Sequence, residues 1–274
     1  MYRIPFLFIG IFLFTACSQK SEKYVVGYTR ITVNDTFTTY DFQPLDTIGV
    51  FPIGYRDGQP GQPGDIAYPI NVPFVLQNNS WKPVNDDYLF TKEEKLDIYA
   101  YFPYDLRIGH EEGMLRINEF IYDLSNQQQR EKIDLLWAKS TIDTGTENIA
   151  ALFFQHLFSK ITIRIQLLNI QNQDIDIKIY NIKSSATVNL AEGTATATET
   201  SEIITPVLIN EQAGVYLEYE AIVPPQEIAS NTLLLYFIID GELTHYVTDQ
   251  TIELESGNNY TFDLTFTPDP TTEI

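Results

Sequence analysis

Lys160-Ile161-Thr162-Ile163-Arg164-Ile165-Gln166-Leu167 decides the fold class. Isoleucine or leucine fills every second position, and the positions between are polar or charged. In an extended chain successive side chains point to opposite faces, so this pattern is a strand with one face in a core and one in water. Asp174-Ile175-Asp176-Ile177-Lys178-Ile179-Tyr180-Asn181-Ile182 repeats it. Working outward, Tyr24 to Val33, Asp46 to Ile53, Leu96 to Phe102, Val215 to Val223, Leu233 to Ile239 and Asn259 to Phe266 are rich in β-branched and aromatic residues and read as further strands.

Turn residues punctuate these runs: Asp57-Gly58, Pro60-Gly61, Pro63-Gly64, Asn78-Asn79, Asp240-Gly241 and Gly257-Asn258. Helix is scarce. Ser125 to Lys132 is a short turn or one to two helical turns, with Ser125 as cap, before Ile133 to Ala138. Many short strands with frequent turns predict an all-β chain of sandwiches. The best boundary lies between Asp143 to Asn148 and the apolar run starting at Ile149, which gives domains at 17–148 and 149–274. The glycine- and proline-rich stretch from Tyr55 to Asp65 and the Thr/Ala/Glu tract from Gly193 to Ser201 read as loops. The tail from Thr267 is too proline-rich to continue a central strand.

The first residues point to export. Met1-Tyr2-Arg3 carries one positive charge, and Ile4 to Phe14 is apolar except for Pro5 and Gly10. That run suits a signal peptide and is too short to span a bilayer. Leu13-Phe14-Thr15-Ala16 then places small residues before Cys17, the chain's one cysteine. A lone thiol in an exported chain has no disulfide partner within it, and lipidation needs a thiol. Residues 1–16 are therefore read as a signal peptide and Cys17 as the lipidation site, tethering the mature chain to a membrane. The alternative is an ordinary signal peptide with an incidental cysteine.

Composition narrows the function. A hydrophobic content of 44 % with 13 % aromatics supports a substantial core. The net charge of −20 repels phosphate backbones, so nucleic acid is excluded as a partner. His110, His156 and His245 lack metal-ligand spacing, and no nucleophile elbow or phosphate-cradling glycine loop occurs. With 37 carboxylates, pairs such as Asp86-Asp87 and Glu111-Glu112 are expected in solvated loops. No cofactor and no enzymatic activity are expected. Trp137 and Tyr99 to Tyr104 read as core, His156 as a satisfied histidine at a strand start, and Trp81 as either core or an exposed sugar-stacking ring.

Taken in order, several segments resemble the fimbrillin family of pilus subunits from the Bacteroidetes, from about residue 45 to 266. The carriers are Leu96 to Tyr104, Asp134-Leu135-Leu136-Trp137-Ala138, Leu152 to Ile161, Ala221-Ile222-Val223-Pro224-Pro225-Gln226, Phe237 to Gly241 and Leu254 to Leu264. The resemblance implies two tandem transthyretin-like β-sandwich domains. It also implies export as a lipoprotein to the outer membrane surface, cutting by an arginine-specific protease, and assembly with other pilus subunits by strand exchange. The candidate first strand is Tyr24 to Tyr28, with Arg30 as the candidate cut and Arg56 as the fallback. Arg30 is alternatively a polar residue inside one long strand to Val33. The few residues after Phe266 depart from the stalk pattern, so a tip or accessory subunit contributing to adhesion, with a host or glycan ligand, is expected. The rival reading is a non-polymerising glycan-binding surface lipoprotein.

Overall fold

The computed structural model describes residues 24–34, 40–61, 71–85, 95–109, 117–143, 150–167, 175–212, 216–239 and 241–268. The strands are β1 (Tyr24–Asn34), β2 (Thr47–Arg56), β3 (Gln59–Pro60), β4 (Val72–Gln77), β5 (Ser80–Pro83), β6 (Lys95–Phe102), β7 (Phe120–Asp123), β8 (Leu136–Asp143), β9 (Gln155–His156) and β10 (Ser159–Leu167). They continue as β11 (Ile175–Ile179), β12 (Ser185–Asn189), β13 (Thr194–Ala197), β14 (Val207–Gln212), β15 (Tyr216–Val223), β16 (Gln226–Ile228), β17 (Leu233–Ile239), β18 (Glu242–Val247), β19 (Ile252–Leu254) and β20 (Asn259–Pro268). Among the described residues helix is limited to a 3-10 turn at Gln127–Gln129 running into α1 (Arg130–Ile133). Asn126 stands at the cap position with no side-chain bond, so the cap expected at Ser125 is not made. The chain is all-β, as its alternation predicts.

Of the five sheets among the described residues, one is the two-stranded pair β16-β19, and the other four face one another in two pairs. In the first, the order β5-β4-β2-β6-β8-β9 faces the order β13-β12-β7. Phe51, Ile53, Tyr99, Tyr101, Phe120, Leu124, Ala186 and Val188 fill the space between them. The other face of β2, β6 and β8 is also buried, where Ile48, Val50, Ile98, Ala100 and Phe102 pack on Tyr40, Phe42, Trp81, Leu152 and Phe154. β6 is thus covered on both sides, which explains its unbroken burial from Leu96 to Phe102 in place of an alternation. In the second pair, the order β1-β20-β10-β15-β14 faces β11-β17-β18, around a core of Ile161, Ile163, Ile165, Phe237, Phe262 and Phe266.

Sheet membership crosses positions 148 and 149 in both directions. β7 pairs with β12, and the β12-β13 hairpin supplies a face of the first core. β1 joins the second sandwich by pairing with β20. The tract expected as a loop near Gly193 is corrected: Thr194–Ala197 is a strand, its small residues packed against β12. β20 runs on to Pro268, whose missing N–H is tolerated at the strand's last position.

A buried glutamine ties the two cores together. Ile222 N–H donates to Gln127 Oε1 at 2.8 Å, and Gln127 Nε2 donates to Ile222 O at 2.8 Å and also to Leu124 O. The side-chain amide imitates a neighbouring strand for one residue at the end of β15. Gln226 does the same for Lys183, accepting from its N–H and donating to its carbonyl. Removing such an amide strands buried backbone groups, at about 1–3 kcal/mol each. Gln127→Ala is expected to lower unfolding free energy by about 2–4 kcal/mol, measured by urea denaturation.

Asp97 is buried on β6, 2 % exposed. Burial alone would raise its pKa. Thr141 Oγ1 at 2.6 Å, Lys139 Nζ at 3.1 Å and Tyr55 Oη at 3.0 Å outweigh that and hold it below the ordinary carboxylate range. A carboxylate with a depressed folded pKa stabilises fully above its unfolded value of about 4 and loses that contribution as pH falls below it. The Tm gap between wild type and Asp97→Asn is therefore expected to be widest near neutral pH and to shrink below about pH 4, read by thermal melts across pH.

Candidate functional site

The candidate site is the sheet edge where the first and last strands meet. β20 alternates strictly: Tyr260, Phe262, Leu264 and Phe266 are all 3 % exposed or less and face the second core. One side of β20 pairs in parallel with β10, from Lys160 with Asn259 to Leu167 with Phe266. The other side pairs antiparallel with β1, from Tyr24 with Pro268 to Asn34 with Asn259. The first strand is therefore one edge of this five-stranded sheet.

The sequence of β1 explains how it fits there. Val26 and Tyr28 pair with Phe266 and Leu264, and Ile31 and Val33 pair with Phe262 and Tyr260. Apolar residues in β1 thus lie opposite the buried positions of β20, but their period slips by one residue between Tyr28 and Ile31. The register shifts at that point, leaving Thr29 as the extra residue of a bulge. A bulge is how an antiparallel pair absorbs such a slip without turning every later side chain to the wrong face.

Arg30 lies directly after the bulge, in register with Asp263. It lies within the strand that runs from Tyr24 to Asn34. Arg56 closes β2 at a two-residue hairpin turn, where Asp57 and Gly58 have φ of 50° and 74°. A cut after Arg30 would free the half of β1 that pairs with positions 263–268. A cut after Arg56 would also sever β2, which lies between β4 and β6 and buries Ile48, Val50, Phe51 and Ile53. The two arginines are therefore not equivalent: processing at Arg56 would break the first sandwich. Cys17 lies outside the described residues.

The opposite edge of the same sheet is built differently. β14 shows Asn210, Glu211 and Gln212 to solvent, and polar and charged residues discourage strand addition. A cleft beside it is lined by Ile175, Ile177, Pro206, Leu208 and Tyr219.

Trp81, open from sequence between core and an exposed ring, is half-buried against the core and meets Phe42 edge-to-face at 5.2 Å. Trp137, expected as core, packs there too, its indole N–H donating to Leu190 O at 2.8 Å above Gly193. His156 Nδ1 sits 2.8 Å from Asp134 Oδ2 and is a structural partner of the β8-β9 corner. Asp176 faces water and pairs with Lys178. Among the described residues no group of three or more His, Cys, Asp or Glu is placed to hold a metal ion, and no helix is long and apolar enough to cross a membrane.

Comparison with known proteins follows the same line. No curated protein matches the chain. Among solved structures it resembles a candidate cell adhesion protein from Bacteroides ovatus, at 18 % identity and TM-score 0.62, covering 83 % of this chain and 87 % of that one. A second, from Bacteroides uniformis, matches at 20 % identity and TM-score 0.59, covering 82 % and 87 %. At such identities the likeness shows the fold. A family model described as fimbrillin-like matches residues 29–274, nearly all of the chain after the first strand begins. The chain belongs to the fimbrillin-like family.

Proposed function

We propose that this chain is a fimbrial subunit contributing to cell adhesion, exported as a lipoprotein through Cys17 and assembled when its first strand is cut and replaced. The observation that carries this reading is the placement of β1 as an edge strand along the core-facing last strand. A cut after Arg30 frees Tyr24 to Arg30, and loss of that piece would leave the backbone groups of β20 from Asp263 to Pro268 unpaired beside Leu264 and Phe266. Such an edge takes an extended segment from another polypeptide readily, recovering hydrogen bonds and apolar burial together. While β1 is in place, that edge is covered.

The bulge supports Arg30 as the processing point. It interrupts the ladder one residue before the arginine, so local opening there costs less than in an unbroken pair. A cut after Arg30 releases everything from Cys17 to Arg30, so the lipid acts as a handle for transport to the outer membrane and is then discarded.

Limited digestion of the purified precursor with an arginine-specific protease tests the reading. Mass spectrometry is expected to show cutting after Arg30 before Arg56, followed by association seen on sizing. A precursor that resists cutting at Arg30, or that is cut and stays a monomer, contradicts it. Separately, Cys17→Ser is expected to move the precursor out of the membrane fraction and abolish incorporation of labelled fatty acid. Unchanged fractionation would remove the lipoprotein step.

A further inference from the structure

We infer that the exposed edge of β20 selects its incoming strand by charge, requiring a lysine or arginine opposite Asp263. This rests on the reading that the freed part of β1 is replaceable, and it specifies the partner: an extended segment alternating apolar residues, with a basic residue at the position opposite Asp263.

The inference begins with a row of charges that crosses the sheet. Asp263 is the one acid on β20 between residues 259 and 267, and it lies midway along the strand. Its register partner on β1 is Arg30, and its register partner on β10 is Arg164. One neighbouring strand is antiparallel and the other parallel, yet both place arginine at this position. Arg164 in turn is opposite Glu218 on β15, its Nε 2.6 Å from Glu218 Oε2. By register Arg30, Asp263, Arg164 and Glu218 form one row, along which basic and acidic types alternate across four strands. Arg164 is already engaged with Glu218. Asp263 therefore favours a second cation on its other side, where β1 now lies, and like charge directly opposite it is disfavoured.

The neighbouring rows do not discriminate in this way. Thr261 is opposite Thr32 and Thr162, and Thr265 is opposite Gly27 and Gln166. Apolar pockets along β20 accept any aliphatic or aromatic residue of suitable size, and a strand slipped by two residues would still satisfy them. Only the position opposite Asp263 distinguishes such slipped registers. A basic residue there fixes both the identity of the partner and its alignment.

The bulge adds a second property. The apolar residues of β20, Tyr260, Phe262, Leu264 and Phe266, repeat every two residues without interruption, so a strand with strict alternation matches them without a bulge. β1 satisfies both the apolar row and the Arg30 to Asp263 match only by leaving Thr29 over. It is a placeholder that an uninterrupted strand with the same charge displaces.

The test uses the full-length chain with a site-specific protease sequence inserted between Asn34 and Tyr40. Nicking there leaves β1 bound without a covalent tie. Three peptides compete for the edge: residues 24–34, the same with Arg30→Glu, and the same lacking Thr29. The Arg30→Glu peptide is expected to bind about five- to tenfold more weakly than the native one, and the peptide lacking Thr29 more tightly than the native one. On an Asp263→Asn chain, with Asp263→Ser as a second variant, the charge preference is expected to disappear. Equal binding of the Arg30→Glu and native peptides, or a preference that persists without Asp263, overturns the charge rule. A Thr29-deleted peptide that binds no tighter overturns the placeholder role. If the nicked chain exchanges no peptide at all, replacement of the first strand fails, and this inference fails with it.

Discussion

The pairing of Tyr24–Asn34 with Asn259–Pro268 is the contact on which the second sandwich depends. It brings the beginning and end of the chain into adjacent positions of one sheet. β20 has β10 on its other side in parallel, and parallel neighbours require a long crossover between them. The last strand therefore docks between two strands that are already distant from it in sequence. With β1 present the sheet ends in that strand; without it the sheet would end in β20, whose core-facing side chains are almost wholly buried. Few other strands here could be lost at such a defined cost. Losing β2 would open the first core on both of its faces, whereas β1 is bonded along one edge only.

The two sandwiches are joined by more than a linker. The hairpin of β12 and β13 covers the first core, Gln127 grips the backbone of Ile222 on β15, and Gln226 grips that of Lys183 just ahead of β12. These ties concentrate at the end of β15 and around residues 183–185, in segments that do not pair with β1. The proposed exchange at the β20 edge would therefore leave these ties in place.

Much of this was legible in the sequence because alternation is a local signal. The eight strongest runs, from Tyr24 to Val33 through Asn259 to Phe266, each form a strand within a few residues of the expected bounds. Local patterning was weaker where burial is two-sided or where residues are small. Thr194–Ala197 has no large apolar residue to announce it and is a strand because β12 provides its partner. The partner of the first strand was also illegible, since an alternating strand fits many others. Two quieter signs were present: the one-residue slip between Tyr28 and Ile31, and an arginine at that slip with a single acid midway along the last strand. Neither has a meaning until register is known. Membership of sheets across positions 148 and 149 was hidden for the same reason, because pairing between distant segments leaves no periodic mark on either.

A disulfide across the β1–β20 pair tests the central claim most directly. Gly27 and Thr265 are register partners, and directly opposed antiparallel positions fall within the Cα separation that a disulfide can bridge. Gly27→Cys and Thr265→Cys in a Cys17→Ser chain would hold the first strand in place even after a cut at Arg30. Sizing after arginine-specific digestion should show monomers when the pair is oxidised and associated chains when it is reduced. Equal association in both states would contradict the account, because it would show that subunits join without vacating the edge of the last strand.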